Sequence, residues 1–128
     1  MGALRTLTPD QHIQALRILL RRADFVHVTP VTLEHSRGLA IMLGNLLAGN
    51  FPHQKDRKAA RLLAISELLE TQLLESFNDL NSTQCATIFS YFNGLVQQGD
   101  SKTATAILAR LERVSKDQSM EPETDLVY

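Results

Sequence analysis

Apolar residues recur every three to four positions in five stretches of the chain, separated by turn-forming residues, and that period predicts helices. The longest stretch runs from about His53 to Leu80. Its apolar residues Leu62, Leu63, Ile65, Leu68, Leu69, Leu73, Leu74, Phe77 and Leu80 keep helical phase yet spread over well more than half of the circumference. Such a helix is expected to be covered on more than one side and to sit at the centre of the fold.

The first helix opens at Thr8-Pro9-Asp10-Gln11. Thr8 can cap, Pro9 suits the first helical position because its missing N–H would be unpaired there, and Gln11 stands where a capping box needs Glu or Gln. Ile13, Leu16, Leu19, Leu20 and Ala23 give the core stripe, Arg17 and Arg21 point together away from it with Arg22 nearby, and the helix is expected to end near Asp24. Phe25 to Val28 is β-branched and apolar, but the sequence offers no second strand to pair with it, so an extended connector is expected before Pro30. The second helix runs from about Thr32 to Ala48, with Leu33, Ala40, Leu43, Leu46 and Leu47 on its apolar side. Gly38 and Gly44 inside it cost roughly 1 kcal/mol each against Ala, and close approach of another backbone is the expected compensation.

Gly49, Asn50 and Pro52 stop that helix, and Asn81-Ser82 caps the fourth. There Cys85, Ile88, Phe89, Phe92, Leu95 and Val96 form one stripe. Gly99 ends the helix, and Asp100 or Ser101 caps a fifth carrying Ala104, Ile107, Leu108, Leu111 and Val114. So short a connection forces an antiparallel hairpin. The pattern stops after Lys116, and residues 117–128 are expected to be a flexible acidic tail with an apolar end, Leu126-Val127-Tyr128. The fold expected is therefore all-α: a compact, mostly antiparallel five-helix bundle built from helical hairpins around a long central helix, one domain over residues 1–116. The segment Leu95 to Asp100 with Ala104 resembles the hairpins of α-solenoid repeat proteins, but no repeat period is sustained.

Composition sharpens this picture only in part. With 128 residues, 44% of them hydrophobic and no Trp, the chain can bury one core, made of Leu, Ile and Ala. The lone Cys85 cannot form an internal disulfide and lies on an apolar stripe with no flanking base, which predicts a buried, inert thiol. Residues Met1 to Thr8 carry no charged segment followed by an apolar run, and no window is long and apolar enough to span a membrane, so a cytoplasmic protein without membrane contact is expected. Asn81-Ser82-Thr83 then reads as a helix cap rather than a glycan acceptor.

Charge adds more. A net charge of −1 conceals nine Lys or Arg against four Asp or Glu in residues 1–61, and four against ten in residues 62–128. Such a division concerns partners, or pairing between copies of the chain, more than fold. Within the long helix, Lys55, Arg57, Lys58 and Arg61 crowd the first turns while Glu67, Glu70 and Glu75 follow, the reverse of what the helix dipole prefers.

Candidate chemistry is sparse. His12, His27, His35 and His53 lie in four segments with no His-x3-His pair, no Gly-rich phosphate loop or nucleophile elbow occurs, and adjacent Glu34 and His35 point about 100° apart on a helix. No catalytic residue, cofactor or metal is expected. The basic set Arg17, Arg21, Arg22, Lys55, Arg57, Lys58 and Arg61 remains as the candidate partner-binding surface. The function expected is a non-enzymatic protein-protein interaction module (an adaptor, assembly factor or chaperone-like subunit) that meets an acidic protein through this face or another partner through an apolar helix surface. The alternative is a small nucleic-acid-binding regulator. The acidic second half, the lack of aromatics among the bases and a first interhelical connection too long for a helix-turn-helix all weigh against it.

Overall fold

Side-chain caps mark where three of the helices begin. The computed structural model describes residues 7–23 and 33–125, with side chains over 7–22 and 34–117; the extended connector expected at Phe25 to Val28, the Thr32 cap, His27 and the Leu126-Val127-Tyr128 end lie outside these. At the head of α1 (Pro9–Ala23) the Thr8 N–H donates to Gln11 Oε1 at 2.9 Å and the Gln11 N–H donates to Thr8 Oγ1 at 3.2 Å. Asn81 and Gln84 close the same reciprocal box at the head of α4 (Ser82–Gln97). Asp100 Oδ1 accepts from the Thr103 hydroxyl at 2.8 Å at the head of α5 (Ser101–Asp125). α2 spans Leu33–Leu47 and α3 spans Gln54–Leu68. The molecule is an all-α bundle, with five helices and no strand among the described residues.

Between α4 and α5 the chain reverses through Gly99, whose φ of 79° is open to glycine, while the Gly99 N–H reaches Val96 O and the Asp100 N–H reaches Leu95 O. Those two bonds satisfy carbonyls that the helix end would otherwise leave unpaired. α5 packs against each of the other four helices and most extensively against α3. Leu16 and Leu20, Leu39 and Leu43, Ile65 and Leu68, Ile88 and Phe92, and Ile107, Leu108 and Leu111 meet in one contiguous core. The helix of α5 continues to Asp125, past Lys116 where the folded domain was expected to end.

The long helix expected from His53 to Leu80 is not continuous. α3 stops at Leu68 through a Schellman arrangement in which the Glu70 N–H bonds Glu67 O at 3.0 Å and the Thr71 N–H bonds Ser66 O at 3.1 Å. Glu70 takes the left-handed position, φ 56°, where glycine is usual. Ser66 then fastens the departing chain, donating its hydroxyl to Leu62 O and accepting the Leu74 N–H at 2.9 Å. A single 3-10 turn, Phe77–Asp79, returns Phe77 and Leu80 to the core. Leu73, which helical phase would have buried, is 62% exposed. No Gly or Pro announces this break. Side-chain and tertiary bonds make it.

Gly38 and Gly44 also differ from expectation. A Cβ on Gly38 would meet nothing within 4 Å, and one on Gly44 would meet Arg61 Nη1 at 3.6 Å. Neither glycine admits a neighbouring backbone; Gly44 makes room for a guanidinium and Gly38 opens onto a surface groove.

Candidate functional site

The bundle divides the seven candidate bases. Arg17 reaches from α1 to the C-terminal end of α3, donating from Nε to Leu68 O at 3.0 Å and from Nη2 to Glu67 O at 2.7 Å. Its side chain is only 15% exposed. Arg17 therefore serves the fold, supplying donors and positive charge to carbonyls at the negative end of a helix dipole. Arg21 lies outside it, 3.6 Å from Glu70 and largely in water, and Arg22 is exposed. Lys55, Arg57 and Lys58 stand in the first turns of α3 and Arg61 at its middle. At about 1.5 Å of rise per residue the Leu68 carbonyl that Arg17 bonds lies roughly 10 Å along the axis from Arg61 and roughly 15–20 Å from Lys58 and Lys55, so the bases of α1 and those of α3 are set apart along the helix rather than gathered in one cluster.

The bases of α3 have a companion that sequence spacing did not single out. Arg37 of α2 joins Lys58 and Arg61 around a recess of about 160 Å³, closed on its third side by the 3-10 turn. Ser36, Ser76 and Asn78 add polar groups to its lining, and no Asp or Glu is among the lining residues. Among the described residues no carboxylate lies within ion-pair distance of Arg37, Lys58 or Arg61. Burial lowers the pKa of the Arg61 guanidinium, and neighbouring Arg57 lowers it further, so its charge sits where both solvent loss and like charge oppose it. Arg57 is fastened by Nη2 to Pro52 O at 3.2 Å, and its buried Nε has no acceptor among the described residues. Lys55 is exposed on the first turn.

The neutral groups of the recess are positioned by one another. The Ser36 hydroxyl donates to Asn78 Oδ1 at 2.7 Å, which leaves the Asn78 amide nitrogen to serve as a donor, and the Asn78 N–H donates to Ser76 Oγ at 3.0 Å. The floor is apolar, formed by Ala40, Leu62 and Phe77. Converging cations, hydroxyls and an amide over an apolar floor can hold an anion by charge and hydrogen bonds together. Nothing in the spacing of α2 pointed to Arg37; only the packing of α2 on α3 brings it beside Arg61.

The other polar candidates have structural work. His12 is buried between α1 and α4 with Nδ1 2.6 Å from the Tyr91 hydroxyl and the two rings edge to face. Cys85 is buried, its Sγ 3.4 Å from His35 O, and burial pushes its pKa up. Among the described residues no three His, Cys, Asp or Glu side chains stand together as metal ligands, and no helix is long and apolar enough to cross a membrane. A separate groove runs between α2 and α4, where two hollows of about 340 and 440 Å³ share Gly38 and Phe89, and Ile41, lining the second, is 64% exposed. Compared with known proteins, the chain matches no family model, no curated protein and no solved structure.

Proposed function

We propose that this chain is a non-enzymatic interaction module that docks an acidic region of a protein partner on the recess between α2, α3 and the 3-10 turn. One observation carries the reading: Arg37, Lys58 and Arg61 surround a hollow that no carboxylate lines, whereas the partly buried Arg17 is engaged by carbonyls of α3. Cations held together repel one another, and Arg61 is partly desolvated besides while Arg37 and Lys58 stay exposed; a complementary anionic surface relieves that repulsion. Lys55 and Arg57 extend the positive field toward the start of α3, where they steer an acidic partner inward.

The nucleic-acid alternative has less support. A phosphate backbone needs a track of cations, and the bases of α1 lie at the far end of α3, with Arg17 consumed by helix carbonyls. No exposed aromatic side chain lines the recess to stack a base. The test is capture of partners by the immobilised native chain and by a Lys58→Glu, Arg61→Glu variant. Acidic proteins should be retained by the native chain and lost by the variant, whereas identical partner lists would remove the recess from the function. Retardation of random duplex DNA at low salt, fading steeply as salt rises, would move the recess to the alternative.

A further inference from the structure

We infer that the recess bounded by Arg37, Lys58 and Arg61 binds a phosphomonoester, carried as a phosphorylated serine or threonine side chain on the protein partner. The inference rests on the docking reading above and specifies the group that enters the site. Three formal positive charges converge on one hollow from two helices, with no acid in its lining. A single carboxylate would leave two of them unmatched. A phosphomonoester brings about −1.5 to −2 at neutral pH and three acceptor oxygens, which suits guanidinium groups and an ammonium arriving from different directions.

Size and lining point the same way. At about 160 Å³ the hollow admits a tetrahedral oxyanion and its ester carbon, but is well short of the roughly 300–1,000 Å³ that encloses a nucleoside or other drug-sized ligand. The Asn78 amide nitrogen and the Ser76 hydroxyl, each with its acceptor oxygen already occupied by a bond from the protein, remain as donors on the lining. Ala40, Leu62 and Phe77 offer an apolar surface to the carbon side of an ester, which a free inorganic anion would not use. A protein-borne phosphate is favoured over a lipid headgroup because none of the large exposed hydrophobic side chains lines the recess to enter a bilayer.

The test is a titration of the isotopically labelled full chain, followed by backbone amide shifts, with four probes: N-acetyl-O-phosphoserine methylamide, the glutamate and unmodified serine analogues, and sodium phosphate. Shifts confined to the α2, α3 and 3-10 segments around the recess are expected, with the phosphoserine probe at least tenfold tighter than the glutamate one and no saturable shift from serine. Arg37→Gln and Arg61→Gln should each weaken the phosphoserine probe about tenfold or more, with the unfolding midpoint unchanged for the exposed Arg37 and unchanged or raised for the partly desolvated Arg61. Lowering the pH from 7.5 to 5 should weaken phosphoserine, whose second ionisation lies near pH 6, more than glutamate.

Equal binding of phosphoserine and glutamate would overturn the phosphate inference and leave the acidic-partner reading standing. Sodium phosphate binding as tightly as the ester would overturn the protein-borne assignment in favour of a free oxyanion. Capture by vesicles containing a phosphoinositide, stronger than the phosphoserine probe accounts for, would overturn it in favour of a lipid. No recess shift with any anionic probe would end both this inference and the docking reading.

Discussion

Arg17→Met isolates what the buried guanidinium does. Methionine keeps most of the alkyl stem and removes the donors, so the substitution deletes the 3.0 Å bond to Leu68 O and the 2.7 Å bond to Glu67 O with little change in packing. Hydrogen bonds from a charged donor contribute about 1.5–3 kcal/mol each when protected. A cation at a helix C-terminus adds about 0.3–1 kcal/mol. The sum overstates the loss, because the group is 15% exposed and the freed carbonyls can be reached by water. The carboxylates of Glu67 at 3.4 Å and Glu70 at 4.0 Å add little at these distances. The expected cost is about 2–3 kcal/mol, a large share of the roughly 5–15 kcal/mol that holds a domain together.

Urea unfolding followed by circular dichroism measures that loss. With a denaturant slope of about 1–3 kcal/mol per molar, the midpoint should fall by roughly 0.7–3 M at unchanged slope. Arg21→Met is the control: its side chain is 68% exposed and its ion pair among the described residues is with Glu70, at 3.6 Å, so its loss should stay within about 0.5 kcal/mol. If Arg17→Met costs no more than Arg21→Met, the two guanidinium bonds exchange freely with water. The assignment of Arg17 to the fold rather than to a partner would then be wrong.

Other expectations follow from the same geometry. Glu70→Gly should raise stability by about 0.5–1 kcal/mol, because relief of the left-handed conformation at φ 56° exceeds the extra chain entropy of glycine; a drop in thermal midpoint would refute the strain. Leu68→Ala should cost about 2–5 kcal/mol and Leu73→Ala less than about 0.5, since the first is fully buried and the second exposed; equal losses would mean that the helix continues beyond Leu68. Lys58→Gln should leave stability unchanged within about 0.5 kcal/mol, or raise it, while weakening binding of an acidic partner, which urea melts and titrations on one sample can separate. Burial raises the pKa of both the Cys85 thiol and the Tyr91 phenol, so the native state holds those protons more tightly than the unfolded chain. That contribution is complete below about pH 8.5 and is lost as pH rises through the native pKa values; Cys85→Ala should remove the part of the alkaline slope that begins near pH 8.5, and Tyr91→Phe the part that begins near pH 10.

Local chemistry was enough for much of this architecture. Thr8 with Gln11, Asn81 with Gln84, and Gly99 act within four residues of themselves, and each does in the bundle what its type and spacing imply. The stripes of α4 and α5 likewise bury Ile88, Phe92, Ile107 and Leu108, because a helix must hide whichever face is apolar. Phase alone says less about the margins of a stripe: Leu19 and Phe89 are in register with their neighbours but lie at the rims of open grooves against α4 and α2, and both remain exposed.

What the tertiary structure alone decided is where distant segments meet. The break at Leu68 depends on Ser66 gripping Leu74 and on Arg17 coming from another helix to bond the carbonyls of Glu67 and Leu68, and no spacing in residues 53–80 encodes that. The seven bases look like one set along the chain. In the bundle Arg17 is a structural arginine at the C-terminal end of α3, while Lys58 and Arg61 join a cationic cluster about two turns or more back along that helix. The recess itself needs Arg37 beside Arg61, residues on different helices that become neighbours only when α2 packs on α3. Caps and stripes depend on residues a few positions apart. A site depends on which helices pack together, and that is settled by the burial of the whole core.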